Sequence, residues 1–219
     1  MAQFNTFGET EKKDFFKKYS YCAEAAVLEM IWQALKTDVT ILNFQYTQKV
    51  SDLSPIQELV CLEELVVCDT QVRDLSPLKG LMNLHELEVS GTQVTDLSPL
   101  KDLQSLQVLD ISGTQVTDLS PLKDLQNLRR LLLFNTQVSD LSALKDLQNL
   151  QEIDLYKTQV HDLRPLKTMI EKGIVVQCNK LNWESLGIDI GDTPLSNPPI
   201  EIAKQGNQAI LNYWKEQGV

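Results

Sequence analysis

Valine, aspartate and leucine return together every 22 residues through the middle of this chain. Val50, Val72, Val94, Val116, Val138 and Val160 are each followed two residues later by Asp52, Asp74, Asp96, Asp118, Asp140 and Asp162, and then by Leu53, Leu75, Leu97, Leu119, Leu141 and Leu163. A fixed period of this size means one supersecondary unit used repeatedly. Such a unit is too small to bury its own apolar side, so the units must stack into a solenoid. The expected product is an extended face rather than an enclosed cleft.

One unit shows the register: Leu103-Gln-Ser-Leu106-Gln-Val-Leu109-Asp-Ile111-Ser-Gly-Thr114-Gln-Val116-Thr-Asp118-Leu119-Ser-Pro121-Leu122. Its L-x-x-L-x-L spacing identifies a leucine-rich repeat. Leu109 and Ile111 fall on one side of a short strand, so Val108, Asp110 and Ser112 fall on the other. Successive strands pair in parallel, and the second row becomes a continuous open sheet on the concave face. The expected fold is therefore α/β, a leucine-rich repeat solenoid with a parallel sheet inside its curve.

Thr70, Thr92, Thr114, Thr136 and Thr158 stand where such repeats usually carry Asn, and a hydroxyl there can serve buried backbone groups. Each Asp of the Asp-Leu-Ser-Pro runs can cap a short convex turn, with Pro supplying a fixed φ. Turns this tight are expected to be 3₁₀. Each unit buries about five or six aliphatic side chains at roughly 1.5 to 3 kcal/mol apiece, nearly all against its neighbours. No unit should fold alone, and both ends need covers.

Three regions follow: residues 1–40, a helical extension and cap; 41–180, the repeats; 181–219, a C-terminal cap with a helix. Cys22 to Lys36 carries Ala23, Ala26, Val27, Met30, Ile31, Ala34 and Leu35 at helical spacing, leading into a first strand at Ile41–Phe44. Before it, Glu9 to Tyr21 mixes Lys12, Lys13, Lys17 and Lys18 with Phe15, Phe16 and Tyr19. This reads as a solvated extension of the cap, the alternative being a basic amphipathic helix for a membrane or partner. At the far end, 172–177 reads as the last strand, with Ile174 and Val176 inward. The prolines at 198 and 199 suit a helix start, and Ile202, Ala209, Ile210, Tyr213 and Trp214 offer an apolar face.

The repeats, about 50 to 170, resemble the class found in bacterial internalins and in regulatory subunits of protein phosphatase 1. The tail Thr193-Pro-Leu-Ser-Asn-Pro-Pro-Ile-Glu-Ile-Ala-Lys-Gln-Gly-Asn-Gln-Ala-Ile-Leu-Asn-Tyr213 resembles the segment closing the leucine-rich repeat domain of bacterial Roco-type proteins, where the repeats form an interaction and regulatory module. Two departures matter. Met1 to Tyr21 has no apolar run of the secretory kind, so an extracellular internalin is not expected. No G-x-x-x-x-G-K-[ST] occurs, so GTPase activity is not carried over.

Composition narrows the function further. The net charge of −10 opposes a nucleic-acid footprint and favours a basic or mixed-charge protein partner. No apolar run is long enough to cross a bilayer. Cys22, Cys61, Cys68 and Cys178 lack C-x-x-C spacing, so free thiols in a cytoplasmic protein are expected, with no metal and no cofactor. His85 and His161 lie too far apart in the array to meet, and neither is placed to serve a nucleophile. The convex Asp recurs in every unit, as a cap does and a catalytic group does not. No enzymatic activity is expected.

Information about a ligand therefore lies in side chains that the repeat leaves free. The central concave column is Val66, Glu88, Asp110, Leu132, Asp154. One flank is Glu64, Glu86, Val108, Arg130, Glu152, and the other is Cys68, Ser90, Ser112, Phe134, Tyr156. With strands about 4.8 Å apart, Val108, Leu132, Phe134 and Tyr156 should form an apolar patch. Glu86, Glu88, Asp110, Glu152 and Asp154 should surround it, with Arg130 in reach. An apolar centre with a charged rim is how interaction sites are built. The expectation is a concave face that binds a protein or peptide. The alternatives are a regulatory domain of a Roco-type GTPase system and a host-directed effector or toxin-neutralising protein. The Lys79, Lys101, Lys123, Lys145, Lys167 row, beside Asp102, Asp124 and Asp146, reads as a solvated convex face.

Overall fold

The computed structural model describes residues 9–19, 25–37, 39–45, 47, 50–178 and 186–218. Helices α1 (Glu9–Tyr19) and α2 (Ala25–Lys36) come first. Strands β1 (Ile41–Asn43), β2 (Glu64–Val66), β3 (Glu86–Glu88), β4 (Val108–Asp110), β5 (Arg130–Leu132) and β6 (Glu152–Asp154) follow. Then come helix α3 (Lys167–Glu171), strands β7 (Val176–Gln177) and β8 (Ile188–Asp189), and helices α4 (Ile200–Ala203) and α5 (Asn207–Glu216). Among the described residues, all strands join one parallel sheet of eight, in the order β1-β2-β3-β4-β5-β6-β8-β7.

The leucine-rich repeat solenoid is thus present, and its construction follows from the recurring residues. Leu65, Leu87, Leu109 and Leu131 point inward from the strands and are fully buried, as are Val89, Ile111, Leu133 and Leu155 one step beyond. After each of β1 to β6 a 3₁₀ turn closes the unit, at Ser54–Ile56, Ser76–Leu78, Ser98–Leu100, Ser120–Leu122, Ser142–Leu144 and Arg164–Leu166. In each, the Asp two residues ahead accepts a backbone N–H through Oδ1, as from Ser76, Ser98, Ser120 and Ser142 at 2.8 Å. A carboxylate holding the first free N–H of a turn also faces its positive end.

The threonine ladder is structural as expected. Thr70, Thr92, Thr114, Thr136 and Thr158 are buried, and each Oγ1 donates to the carbonyl three residues back at 2.6–2.8 Å. The residue just before each Thr takes a left-handed turn: Asp69, Gly91, Gly113, Asn135 and Lys157 have φ between 54° and 66°. Asn, Asp and Gly enter that region most readily; Lys157 is the exception.

At the N-terminal end, α2 packs against the first 3₁₀ turn, and its Val27, Ile31 and Ala34 join the same buried core as Leu42, Phe44 and Ile56 of the first unit. The aromatic side of α1 is used on α2: Phe15 packs on Trp32 (5.3 Å between centroids) and Tyr19 closes over Leu28. Lys12 pairs with Glu29 at 2.9 Å, and Gln57 donates to the Tyr19 hydroxyl. Helix α1 thus packs along α2. Residues 22–24, included in the expected helix, lie outside the described residues, as do Cys22 and Tyr21. Among the described residues no helix is long and apolar enough to cross a membrane.

The C-terminal end departs from expectation. Residues 172–177 do give a strand, β7, with Val176 buried, but it is not the neighbour of β6. That seat belongs to β8, which lies between them and pairs Asp189 with Asp154 on one side and Gln177 on the other. The chain runs past the seat, forms the outermost strand, and returns to fill the gap. The signal for β8 was present: Ile188-Asp-Ile-Gly-Asp-Thr193 repeats the pattern Leu109-Asp-Ile-Ser-Gly-Thr114. Thr193 even supplies another rung, Oγ1 to the Ile190 carbonyl at 2.7 Å. The spacing hid it, because an insertion holding α3 and β7 breaks the period. The boundary expected at 180 falls among residues outside the described ones, and the repeat sheet continues beyond it.

Helices α4 and α5 close this end, burying Ala203, Ile210 and Trp214, with Ile202, Ala209 and Tyr213 half-buried. The Trp214 indole donates to Asn197 Oδ1 at 2.9 Å. Asn207 accepts from the Val176 backbone and donates to the Ile170 and Ile174 carbonyls, fixing the edge strand to the cover.

Candidate functional site: the concave face

The pairing register places two of the expected rows, and the backbone bonds just past the strands align the third, Cys68, Ser90, Ser112, Phe134 and Tyr156. Val66, Glu88, Asp110, Leu132 and Asp154 form one column, and Glu64, Glu86, Val108, Arg130 and Glu152 form its flank. Asn43 extends the central column at one end, and Asp189 and then Gln177 extend it at the other.

Phe134 and Tyr156 come together as a stacked pair, 5.7 Å between centroids with ring planes 16° apart, both half-buried. Tyr156 is positioned from its far side by Gly191. A Cβ there would stand 2.5 Å from the Tyr156 ring, so only a bare backbone lets the ring lie flat. Hydrogen bonding to Asp192 raises the pKa of the Tyr156 phenol, and Lys157 Nζ sits 5.2 Å from the ring centroid. Part of Tyr156 therefore rests on the C-terminal segment, and the rest is available beside Phe134. Leu132 lies in the next column between Asp110 and Asp154. Val108 stands on the opposite flank, so it meets the aromatic pair only across that column.

The acidic surround is more structured than residue type suggested. Asp110 Oδ1 accepts the Ser112 N–H, Asp154 Oδ1 the Tyr156 N–H, and Asp189 Oδ1 the Gly191 N–H, each at 2.8 Å. These aspartates end their strands with Asx turns. Position in the column, which seemed free of repeat constraint, carries a local backbone role whenever Asp occupies it.

Arg130 does not face a ligand with an uncommitted charge. Its Nε and Nη2 donate to both oxygens of the buried Glu152 carboxylate, at 2.6 and 3.3 Å. A bidentate pair of this kind is a fixed unit, and it neutralises the flank there. Burial raises the Asp154 carboxyl to about 6, reinforced by Asp189, Asp110 and Glu152 and opposed by the Tyr156 N–H. Glu86 is also raised, by burial and by sharing a hydrogen bond with Glu88. The Cys68 thiol, buried and hydrogen-bonded by Ser90 at 3.0 Å, is pushed up by desolvation. It packs; it is not an activated nucleophile.

Sequence reasoning missed Asp189, Gly191 and Asp192, which β8 and the turn after it bring beside Asp154 and Tyr156, the first two of them buried. Among the described residues no group of acidic, His or Cys side chains is arranged to hold a metal ion. His85 is half-buried at the strand entry and His161 exposed on a turn.

A family model for leucine-rich repeats (two copies) matches residues 83–124 and 126–168. Among solved structures the chain is similar to internalin C2 of Listeria monocytogenes, at 34% identity and a TM-score of 0.49, covering 56% of this chain and 59% of that one. It is similar to the internalin InlF of the same organism at 21% identity and a TM-score of 0.54, covering 81% of this chain and 65% of that one. It is also similar to a leucine-rich repeat protein of Leptospira interrogans at 21% identity and a TM-score of 0.59, covering 78% and 47%. The chain spans less than two thirds of the length of each of these structures. Comparison with curated proteins gives no match.

Proposed function

We propose that this chain is a non-enzymatic, internalin-like interaction module that holds a protein or peptide partner on its concave face. The observation that carries this reading is the stacked Phe134–Tyr156 pair, half-exposed beside Leu132, with Asp110 and Asp154 on either side of that leucine and Glu86 and Glu88 farther out on β3. Aromatic anchors inside a polar rim are where interfaces concentrate their binding energy. With Arg130 tied to Glu152, the rim is acidic and favours a basic or mixed-charge partner. The rows are fixed by a continuous backbone ladder, so the surface is preformed.

Leucine-rich repeat proteins generally act as interaction modules, which supports the class of function. The cytoplasmic location and the absence of nucleic-acid and membrane partners are parts of this proposal that rest on charge and composition. Regulation of a Roco-type GTPase system, and an effector or toxin-neutralising role, rest on the tail resemblance and repeat class alone.

The test is affinity purification of partners from lysate of the source organism with the wild type and with Phe134→Ala, Tyr156→Ala. A partner held by the wild type and lost by the double variant supports the concave face. An identical set on both moves the site elsewhere.

A further inference from the structure

We infer that the partner segment presents an arginine to the concave face, its alkyl stem on Leu132 and Phe134 and its guanidinium between the carboxylates of Asp110 and Asp154. This deepens the proposed function and rests on it. The two aspartates flank Leu132 in the pairing register, two strand spacings or roughly 10 Å apart. An apolar floor thus lies between two anions. In each, one oxygen is engaged by the backbone two residues on, leaving the second oxygen for a ligand.

Neither of the two cations beside this place fills it. Arg130 is held on the flank by Glu152. Lys157 lies over Tyr156, at 5.2 Å from the ring centroid, and Leu132 is only half-buried. Arginine fits better than lysine. Its planar fork can donate to two carboxylates at once, and it loses less hydration than an ammonium.

Charge complementarity gives the interaction a pH signature. The charges facing Asp154 are Asp110, Asp189 and Glu152, the last paired with Arg130, with Asp192 and Lys157 beyond Tyr156. A bound cation favours the ionised carboxylate. Acid protonates Asp154 near pH 6, so affinity should fall as pH drops through that region.

The probe is a phage-displayed library of random dodecapeptides selected on the full chain. The expected result is enrichment of arginine beside apolar residues. A selected synthetic peptide should lose about tenfold in affinity to Asp110→Asn, Asp154→Asn, and by a similar factor when its arginine is replaced by citrulline. Asparagine keeps the acceptor for the turn N–H, so circular dichroism of the variant should match wild type. Peptides lost on Phe134→Ala, Tyr156→Ala but indifferent to the asparagine pair would overturn the arginine inference and leave the concave-face reading standing. Peptides bound equally by every variant would overturn both. A library yielding no binders, or neutral or acidic ones, also overturns the inference.

Discussion

At the scale of residues, the structure separates groups that serve the fold from groups that strain it. Lys157 holds the left-handed turn at φ 58°, where its equivalents include Gly91 and Gly113. Relief of that conformation by Lys157→Gly should stabilise the protein by about 1 kcal/mol, read as a rise in Tm; an unchanged or lower Tm would mean that the lysine's contact with Tyr156 outweighs the strain. Asp154 is the other strained group. Burial raises its folded carboxyl to about 6, above the ordinary aspartate value of 3.8, so between those pH values the folded state holds the extra proton and stability falls as pH rises. Asp154→Asn should flatten this segment of the stability profile and raise stability at neutral pH, with denaturant melts across pH as the check. Lower in pH, carboxylates such as Asp96 and Asp140, held down by Ser98 and Ser142, oppose the trend.

Among elements, the covers differ in how they are fastened. Helix α2 is held by apolar packing, whereas the C-terminal cover adds directional bonds through Asn197 and Asn207. Trp214→Ala removes a fully buried indole and should cost about 3 to 5 kcal/mol. Asn207→Ala leaves the Val176 N–H and the Ile174 carbonyl without this partner, while the Ile170 carbonyl keeps the Gly173 N–H, and should cost about 1 to 3 kcal/mol. Chemical denaturation resolves both; a loss under half a kcal/mol on the order of measurement error for Asn207→Ala would show that water replaces the amide. The repeat strands and turns were legible in the sequence because Leu109, Ile111, Thr114 and Asp118 each recur at a fixed interval and each has one physical job. Strand β8 was not, because periodicity locates a unit only while its length is kept. Within the candidate site, rows were readable from alternation, but commitments were not. Nothing in the order of residues says that Arg130 is bound to Glu152 or that Asp110 is ending a strand.

For the whole molecule, burial is nearly all between neighbours, and the chain should melt as one unit rather than repeat by repeat. Deletion of residues 193–219 removes α4, α5 and the last threonine rung, exposes β7 and the array end, and should lower Tm or cause aggregation. An unaltered melting curve would make the tail an independent appendage. The interleaving of β8 between β6 and β7 also fixes how the protein can lengthen or shorten. An array that ended on its latest strand could be extended by one more unit at that edge. Here the terminal seat is taken before the penultimate one is filled, which works as a stop. Changes in repeat number must then enter upstream, among the regular units before β6, and leave the closing motif intact.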